Sequence, residues 1–349
     1  MRVLVATDDR TFSVSLCEAY RARGFDVDLG VSALWLDLKV YDIIHLHWPE
    51  ELVGWASPPR PDAIAQLIAR LKALRRRSTL IATVHNLLPH NAPRNEDGWG
   101  NLYAQVYSQM HRIGHFSRTS IAEVNRLFPD VPADRHCLHG MNDFRDLKRY
   151  SVGRDGARAA LGFGGDDVVI GVFGNLRSSE EMSIACRAID QAKLDGAKIL
   201  FAARPPHYGS RIKRRLAQMR FDAWRRRHNV DVHPGFIDDA TMVGMFEAMD
   251  MLLIARCDGH LNSGQLPLAM TFGTPLVAPN FGMFAEMIGT SSNELYRPGF
   301  DKEAAHAIKR LAAKPANDVR GSNRALASGW GWDHALDTLL GGLEGGAHE

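Results

Sequence analysis

The stretch ARCDGHLNSGQLPLAMTFGTPLVAP, residues 255–279, decides the fold. A small polar turn, Asn262-Ser263-Gly264, opens an apolar run at helical spacing. Gly273-Thr274-Pro275 then punctuates the chain before a short apolar, β-like segment at 275–278. Another such segment, 251–254, precedes the stretch. Strand, turn, helix, turn and strand in that order make a βαβ crossover, which places its two strands parallel in one sheet.

Outward from this unit the same alternation fills the chain. In the first half, strands are expected at 3–6, 27–29, 42–45, 79–84, 113–116 and 136–139, with helix-like patterns between them, as at 63–76 and 119–127. Residues 141–166 are polar and Gly-rich, hold no strand candidate, and read as a link with one short helix. The alternation restarts with strands at 168–173, 198–202, 230–233, 251–254, 275–278 and 294–296. The expected fold class is therefore α/β, with two Rossmann-like domains facing a central crevice. In open sheets of this kind ligands bind outside the carboxyl ends of the strands. Residues 328–343, with Trp330 and Trp332, read as a packing helix, and the final EGGAHE as frayed.

Composition bounds the function. The chain has 349 residues, 45% of them hydrophobic and 23% charged, and a formal net charge of +2. That balance is too mild to argue for nucleic acid. Cys17, Cys137, Cys186 and Cys257 are scattered without CxxC spacing, which speaks against a zinc site or a disulfide framework. The chain starts in a strand-like segment without a signal peptide's apolar core, and no apolar run is long enough to span a bilayer. A cytoplasmic enzyme or binding protein is expected.

The chemistry-bearing residues fall just past the expected strands. The expected strand around 170 runs into GVFGNLRSSEEM, where Gly171 and Gly174 allow a tight turn and close backbone approach, and Arg177 follows, whose guanidinium can clamp a phosphate. Arg204 follows 198–202, fixed by Pro205 and Pro206. Asp238 and Asp239 mark a helix start, and Met242, Met245, Phe246 and Met249 are core at helical spacing. The helix opening at Asn262, Ser263, Gly264 and Gln265 presents backbone N–H groups suited to an anion, and small residues leave room for it. An ordinary Ser or Asn N-cap is the plainer reading.

The first half carries His45, His47 and Trp48 in IIHLHWPEEL, His85, Asn86 and His90 in IATVHNLLPHN, and His115 and Ser117 in RIGHFS. Such residues suit a sugar, which takes polar contacts to its hydroxyls and an apolar surface for its face. No metal-binding motif accompanies them, and Asp26 and Asp28 lie inside an expected strand, so no metal is expected. The segment RIKRRLAQMRFDAWRRR, 211–227, holds eight Lys or Arg against Asp222. It reads either as a surface for peripheral membrane contact, with Leu216, Met219 and Trp224 as a partial apolar face, or as a solvated outer helix. Residues 71–77 carry a shorter basic cluster of the same kind.

Taken in order, DIIHLHWP, TVHNLLPH, GVFGNLR, FAARP, PGFIDDATMVGMFEAMDMLLIA and NSGQLPLAMTFGTPLVAP resemble bacterial glycosyltransferases of the GT-B fold, family-four-like and close to exopolysaccharide mannosyltransferases. The resemblance covers nearly the whole chain and is more specific in its second half. It implies an N-terminal acceptor-binding domain at 1–145, a C-terminal nucleotide-sugar-binding domain at 146–327, and a terminal helix, 328–349, returning to the N-terminal domain. It implies transfer of a hexose from GDP-mannose or a UDP-sugar to a saccharide or lipid-linked saccharide, with no metal and no cofactor beyond the donor itself. Gly174, Asn175, Arg177, Arg204, Asn262, Ser263, Gly264 and Gln265 would hold the diphosphate, and Phe236 and Ile237 the base. His85 matches a histidine facing the donor sugar. Asp9, like Asp8, is an alternative base for an inverting reaction, while a retaining one needs none. His47, Trp48, Asn86 and His115 would serve the acceptor. Two departures stand out. Ser178-Ser179-Glu180-Glu181 follows the GNLR loop where a Lys is usual, and His260 and Leu268 stand where many members have glutamates. These keep open an alternative, a catalytically inactive nucleotide-sugar-binding partner subunit.

Overall fold

The computed structural model describes residues 1–36, 38–89, 97–204, 211–228, 230–233, 235, 237–257 and 262–341. The chain forms two compact units, Met1–Asn142 with Trp330–Glu349, and Asp143–Gly329.

The first unit is built on β1 (Arg2–Ala6), β2 (Asp26–Leu29), β3 (Ile43–Leu46), β4 (Thr79–Thr83), β5 (Arg112–His115) and β6 (His136–Leu138). They form one sheet in the order β2-β1-β3-β4-β5-β6, and every pairing is parallel. Val3, Leu4, Val5, Ile44, Leu80 and Ile81 are fully buried, as expected where a parallel sheet is covered on both faces. The order reverses beside β1, so the carboxyl ends of β1 and β3 flank a topological switch point.

The second unit repeats the plan with β7 (Val169–Asn175), β8 (Lys198–Arg204), β9 (Val230–Val232), β10 (Met251–Leu253), β11 (Leu276–Pro279) and β12 (Glu294–Tyr296). The order is β12-β11-β10-β7-β8-β9, again all parallel, with the switch point between β7 and β10. The helix Gln265–Phe272 is buried on nearly all sides and ends in Gly273, whose φ of +75° is a left-handed C-cap. Met245, Phe246 and Met249 are core residues, and Asp238 caps the helix Asp239–Ala248 by accepting from Thr241 N–H at 3.0 Å.

The polar stretch 141–166 is more ordered than its composition suggests. It holds a 3-10 helix, Arg145–Tyr150, and an α-helix, Gly153–Ala160. Arg158, 2% exposed, donates to the carbonyls of Gly164 and Ala248 and pairs with Asp250 at 3.2 Å. A single buried arginine thus does the anchoring that apolar residues usually do, because its five donors all find acceptors.

At the other end, the helix Trp332–Leu340 packs within the first unit. Trp332 is buried against Phe12 and His139, with ring centroids 5.1 and 5.8 Å away, and Gly331 N–H donates to the Met141 carbonyl at 2.9 Å.

Candidate functional site

In the second unit the expected donor residues lie at the carboxyl ends of β7, β8, β9 and β10, with Gly174 and Gln265 at the β7–β10 switch point. Gly174 has φ +91° and no side chain because Gln265 occupies that space; a Cβ there would lie 2.4 Å from Gln265 Nε2. Gln265 in turn donates to the Phe173 carbonyl, which ties the start of its helix to the last residues of β7. That helix has Gly264 at its N-cap position and no side-chain cap, so the plain Ser or Asn cap is not what the small residues provide. Leu266 N–H donates to the Ser263 carbonyl at 3.2 Å and Pro267 has no N–H, so the opening offers an anion the N–H groups of Gly264 and Gln265 and the positive end of the helix dipole. Ser263 N–H points at the Met283 sulfur, 2.9 Å away, a weak acceptor.

Asn175 and Arg204 lie opposite each other in the β7–β8 register, both exposed, and the Arg204 carbonyl accepts from Leu176 N–H at 3.3 Å. Arg177 sits half-buried just beyond, its backbone N–H held by Glu181 Oε2 at 2.6 Å. Ile237 is half-buried beside Gly235, whose φ is +134°. Phe236, Pro205, Pro206, His90 and His260 lie outside the described residues.

Two residues not singled out for the site complete it. Arg256 follows β10, is 5% exposed, and reaches Glu181 Oε2 at 3.3 Å with the same amino group that donates to the Ala255 carbonyl at 3.1 Å. Its backbone N–H is fixed by the Tyr296 hydroxyl at 2.9 Å, and its Nε has no partner among the described residues. Glu181, 1% exposed at its side chain, lies in the first turn of the helix Ser179–Ala192. Ser178 caps that helix by accepting from Glu181 N–H at 3.2 Å, and Glu181 reaches back to Arg177 N–H, a variant of the capping box. The Ser-Ser-Glu-Glu run is thus a helix start that shapes the GNLR loop. The buried cation there comes from another strand. The available signal was an arginine directly after the wholly apolar run MLLIA.

In the first unit the carboxyl ends of β1, β3 and β4 bring together a different set. His47 Nδ1 and His85 Nε2 are 3.0 Å apart, and His47 Nε2, fully buried, has no partner among the described residues. Trp48 stacks on His85 at 4.3 Å, and Phe12 stands edge-on to His85 at 4.5 Å and to Trp48 at 5.8 Å. Burial among these rings, with neighbouring His139 and His45, holds the His85 pKa well below its usual value, so its imidazole is neutral. Asn86 is half-buried next to it.

Other expected residues have protein partners. His115 is buried, with Nδ1 2.8 Å from Ser120 Oγ and Nε2 2.8 Å from His136 Nδ1, so both ring nitrogens are engaged. Asp9 Oδ1 accepts from Phe12 N–H at 3.2 Å at the start of the helix Arg10–Ala22, and Asp8 Oδ1 accepts from Val31 N–H at 3.1 Å. Asp28, in β2, binds Lys39 and the Tyr41 hydroxyl. Two carboxyls escaped the sequence reading. Glu51 accepts from Thr7 Oγ1 at 2.7 Å and Asp8 N–H at 2.9 Å, and Glu50 accepts from the Tyr103 hydroxyl at 2.5 Å. Burial raises the pKa of both. Among the described residues no group of three or more His, Cys, Asp or Glu is gathered as if for a metal ion.

Two parallel, doubly wound six-stranded sheets match the GT-B fold of the solved glycosyltransferase structures to which the chain is similar. No protein-family model matches the chain. It is 25% identical over 327 residues, 86% of this chain and 69% of the relative, to a D-inositol 3-phosphate glycosyltransferase of Saccharomonospora viridis. Among solved structures it is similar to sucrose-phosphate synthase from Thermosynechococcus elongatus, with a TM-score of 0.75 at 16% identity over 98% of this chain and 97% of that one. It is likewise similar to Anabaena HepE in complex with UDP and glucose, with a TM-score of 0.73 at 13% identity over 99% of this chain and all of the other. No described helix is long and apolar enough to cross a membrane.

Proposed function

We propose that the protein is a hexosyltransferase that takes its sugar from a nucleoside diphosphate donor, GDP-mannose or a UDP-sugar, and gives it to a saccharide or lipid-linked saccharide. The observation that carries this is the uncapped start of the Gln265 helix, pinned to the Gly174 turn, with Arg177, Arg204 and Arg256 at the carboxyl ends of the neighbouring strands β7, β8 and β10. A diphosphate is the ligand that such a combination of N–H groups and guanidinium cations suits. The similarity to a glycosyltransferase, and to HepE, whose structure is in complex with UDP and glucose, supports the same reading.

In the reaction, the acceptor hydroxyl oxygen bonds to the anomeric carbon as the bond from that carbon to the diphosphate oxygen breaks. The nucleoside diphosphate leaves with the electron pair. Arg177, Arg204 and the helix N-terminus stabilise the charge that develops on it, and such preorganised groups are usually the largest contribution to rate. The donor sits in the second unit and the acceptor on the first, against Trp48, His47 and Asn86. In an inverting reaction the acceptor proton passes to the neutral His85 imidazole. In a retaining one it passes to the departing phosphate oxygen. No step in either course calls for a metal or a further cofactor.

One observation favours the alternative of a nucleotide-sugar-binding partner without turnover: Leu268, where many similar enzymes carry a glutamate, is 4% exposed in the apolar helix. A thermal-shift panel of GDP, UDP, ADP, TDP and their sugars tests both readings, with Arg177→Ala and Ser263→Trp as controls. Stabilisation by one nucleotide, lost in both variants, followed by transfer to an acceptor, bears out the enzyme. Stabilisation without transfer to any acceptor or to water supports the partner subunit, and no stabilisation by any nucleotide overturns the donor site.

A further inference from the structure

The helix Arg211–Arg225 has two faces that the sheet and the solvent separate. Phe221 and Trp224 are buried against the second unit's core, and Trp224 Nε1 donates to Asp190 at 2.7 Å, which fixes the helix rotation. At 3.6 residues per turn the outward face then centres on Ile212, Leu216, Met219 and Ala223. Ile212 is 73% exposed, Leu216 48% and Met219 60%, a contiguous apolar line on the surface of the chain. Arg211 and Arg215 border that line on one side and Arg220 on the other, all exposed, and Arg226 and Arg227 are exposed in the turn just beyond. Among the described residues none of these five has a carboxylate partner; Asp222 is taken by Arg225 at 3.2 Å.

We infer that this face docks on an anionic lipid bilayer, with the apolar line in the headgroup–acyl boundary and the arginines at the phosphates. The argument rests on the order of residues across the face. An apolar centre with cationic borders matches a surface whose charge lies at one depth and whose hydrocarbon begins just below it, and arginine stems can lie along apolar surface while their heads reach the charge. A nucleic acid would leave Ile212, Leu216 and Met219 against phosphate and water. A second copy of the helix would set arginine against arginine. The surface is held rigid before it meets a membrane, so little ordering entropy opposes binding.

The test is co-sedimentation of the full chain with phosphatidylcholine vesicles and with vesicles containing phosphatidylglycerol, at low and high salt. Binding is expected only to the anionic vesicles, weakened by salt, each arginine near the surface contributing about fivefold. The triple variant Ile212→Ser/Leu216→Ser/Met219→Ser is expected to lose roughly tenfold or more in partitioning with its melting temperature unchanged, because all three side chains are exposed. Arg215→Glu/Arg220→Glu is expected to lose anionic binding altogether. Equal binding to both vesicle types, no binding to either, or full retention by the serine variant would overturn the inference. So would duplex DNA binding that competes with vesicles and ignores the serine substitutions.

Discussion

Replacing Arg256 by Met tests whether the buried pair with Glu181 organises the loop after β7, the one proposed to hold the donor. At 3.3 Å the two charges attract by about 5 kcal/mol at an effective dielectric of 20, and desolvation of both ions offsets much of this. The asymmetry matters more than the net value. Met fills the space of the arginine stem but takes the cation away from Glu181, 1% exposed, whose Oε2 still accepts from Arg177 N–H. Stranding one partner of a buried pair costs about 3–5 kcal/mol. Glu181 keeps one good hydrogen bond, so the lower end, about 3 kcal/mol, is expected. For a unit of this size that lowers the melting temperature by roughly 6–12 °C. Glu181→Gln alone strands the cation instead, and the double variant Arg256→Met/Glu181→Gln removes both charges. Urea unfolding of all four proteins closes a double-mutant cycle, in which the double variant is expected to lose at least 1 kcal/mol less than the two singles together. Additivity, or a loss below about 1 kcal/mol for Arg256→Met, would refute the account of a coupled pair. Nucleotide titration of the same proteins reports on the loop: each single variant is expected to weaken binding more than the double.

Three other outcomes follow from the geometry. Gly174→Ala imposes a Cβ 2.4 Å from Gln265 Nε2 at φ +91°, so about 1–2 kcal/mol of backbone strain and displacement of Gln265 are expected, read as a nucleotide dissociation constant raised roughly tenfold in calorimetry; an unchanged constant would separate Gln265 from the site. Trp332→Ala removes a buried ring packed on Phe12 and His139 and is expected to destabilise the first unit by about 3–5 kcal/mol in urea unfolding. Burial lowers the His139 pKa to about 4 and that of His115 to about 2, against 6.5 when exposed. Protons therefore favour the unfolded chain, so stability is complete above pH 6.5 and declines as pH falls toward those values, by about 1.4 kcal/mol per pH unit for each histidine kept neutral. Denaturation midpoints that stay level between pH 7 and pH 5 would contradict this.

The strands were readable because a covered parallel sheet needs continuous apolar runs. Each expected strand has its counterpart within a residue or two at either end, from 3–6 for Arg2–Ala6 to 294–296 for Glu294–Tyr296. The link was less readable: Arg158 ties it to the nearby Gly164 carbonyl and to the Ala248 carbonyl ninety residues on, and the Ser151 hydroxyl and Val152 N–H reach Glu247, none of which composition shows. The turn proposed for the donor was visible as Gly174 and the Asn262–Gln265 opening, because close backbone approach restricts residue type. Arg256 and Glu181 were not, since each looks ordinary until β7 and β10 lie side by side. Asp9 and His115 show the reverse limit. Their types suit catalysis, yet their hydrogen bonds go to Phe12, Ser120 and His136, partners that no spacing rule would pick out.

The first unit is discontinuous in the chain: Trp332 and its helix come after the whole of Asp143–Gly329. On the ribosome, Met1–Asn142 therefore emerges without the tryptophan that covers Phe12 and His139, and waits while the intervening unit is made. At ordinary elongation rates the delay is on the order of ten to forty seconds. During that interval the aromatic end of the sheet is open to chaperones, and a nonsense codon anywhere in the second unit would release a first unit that never closes.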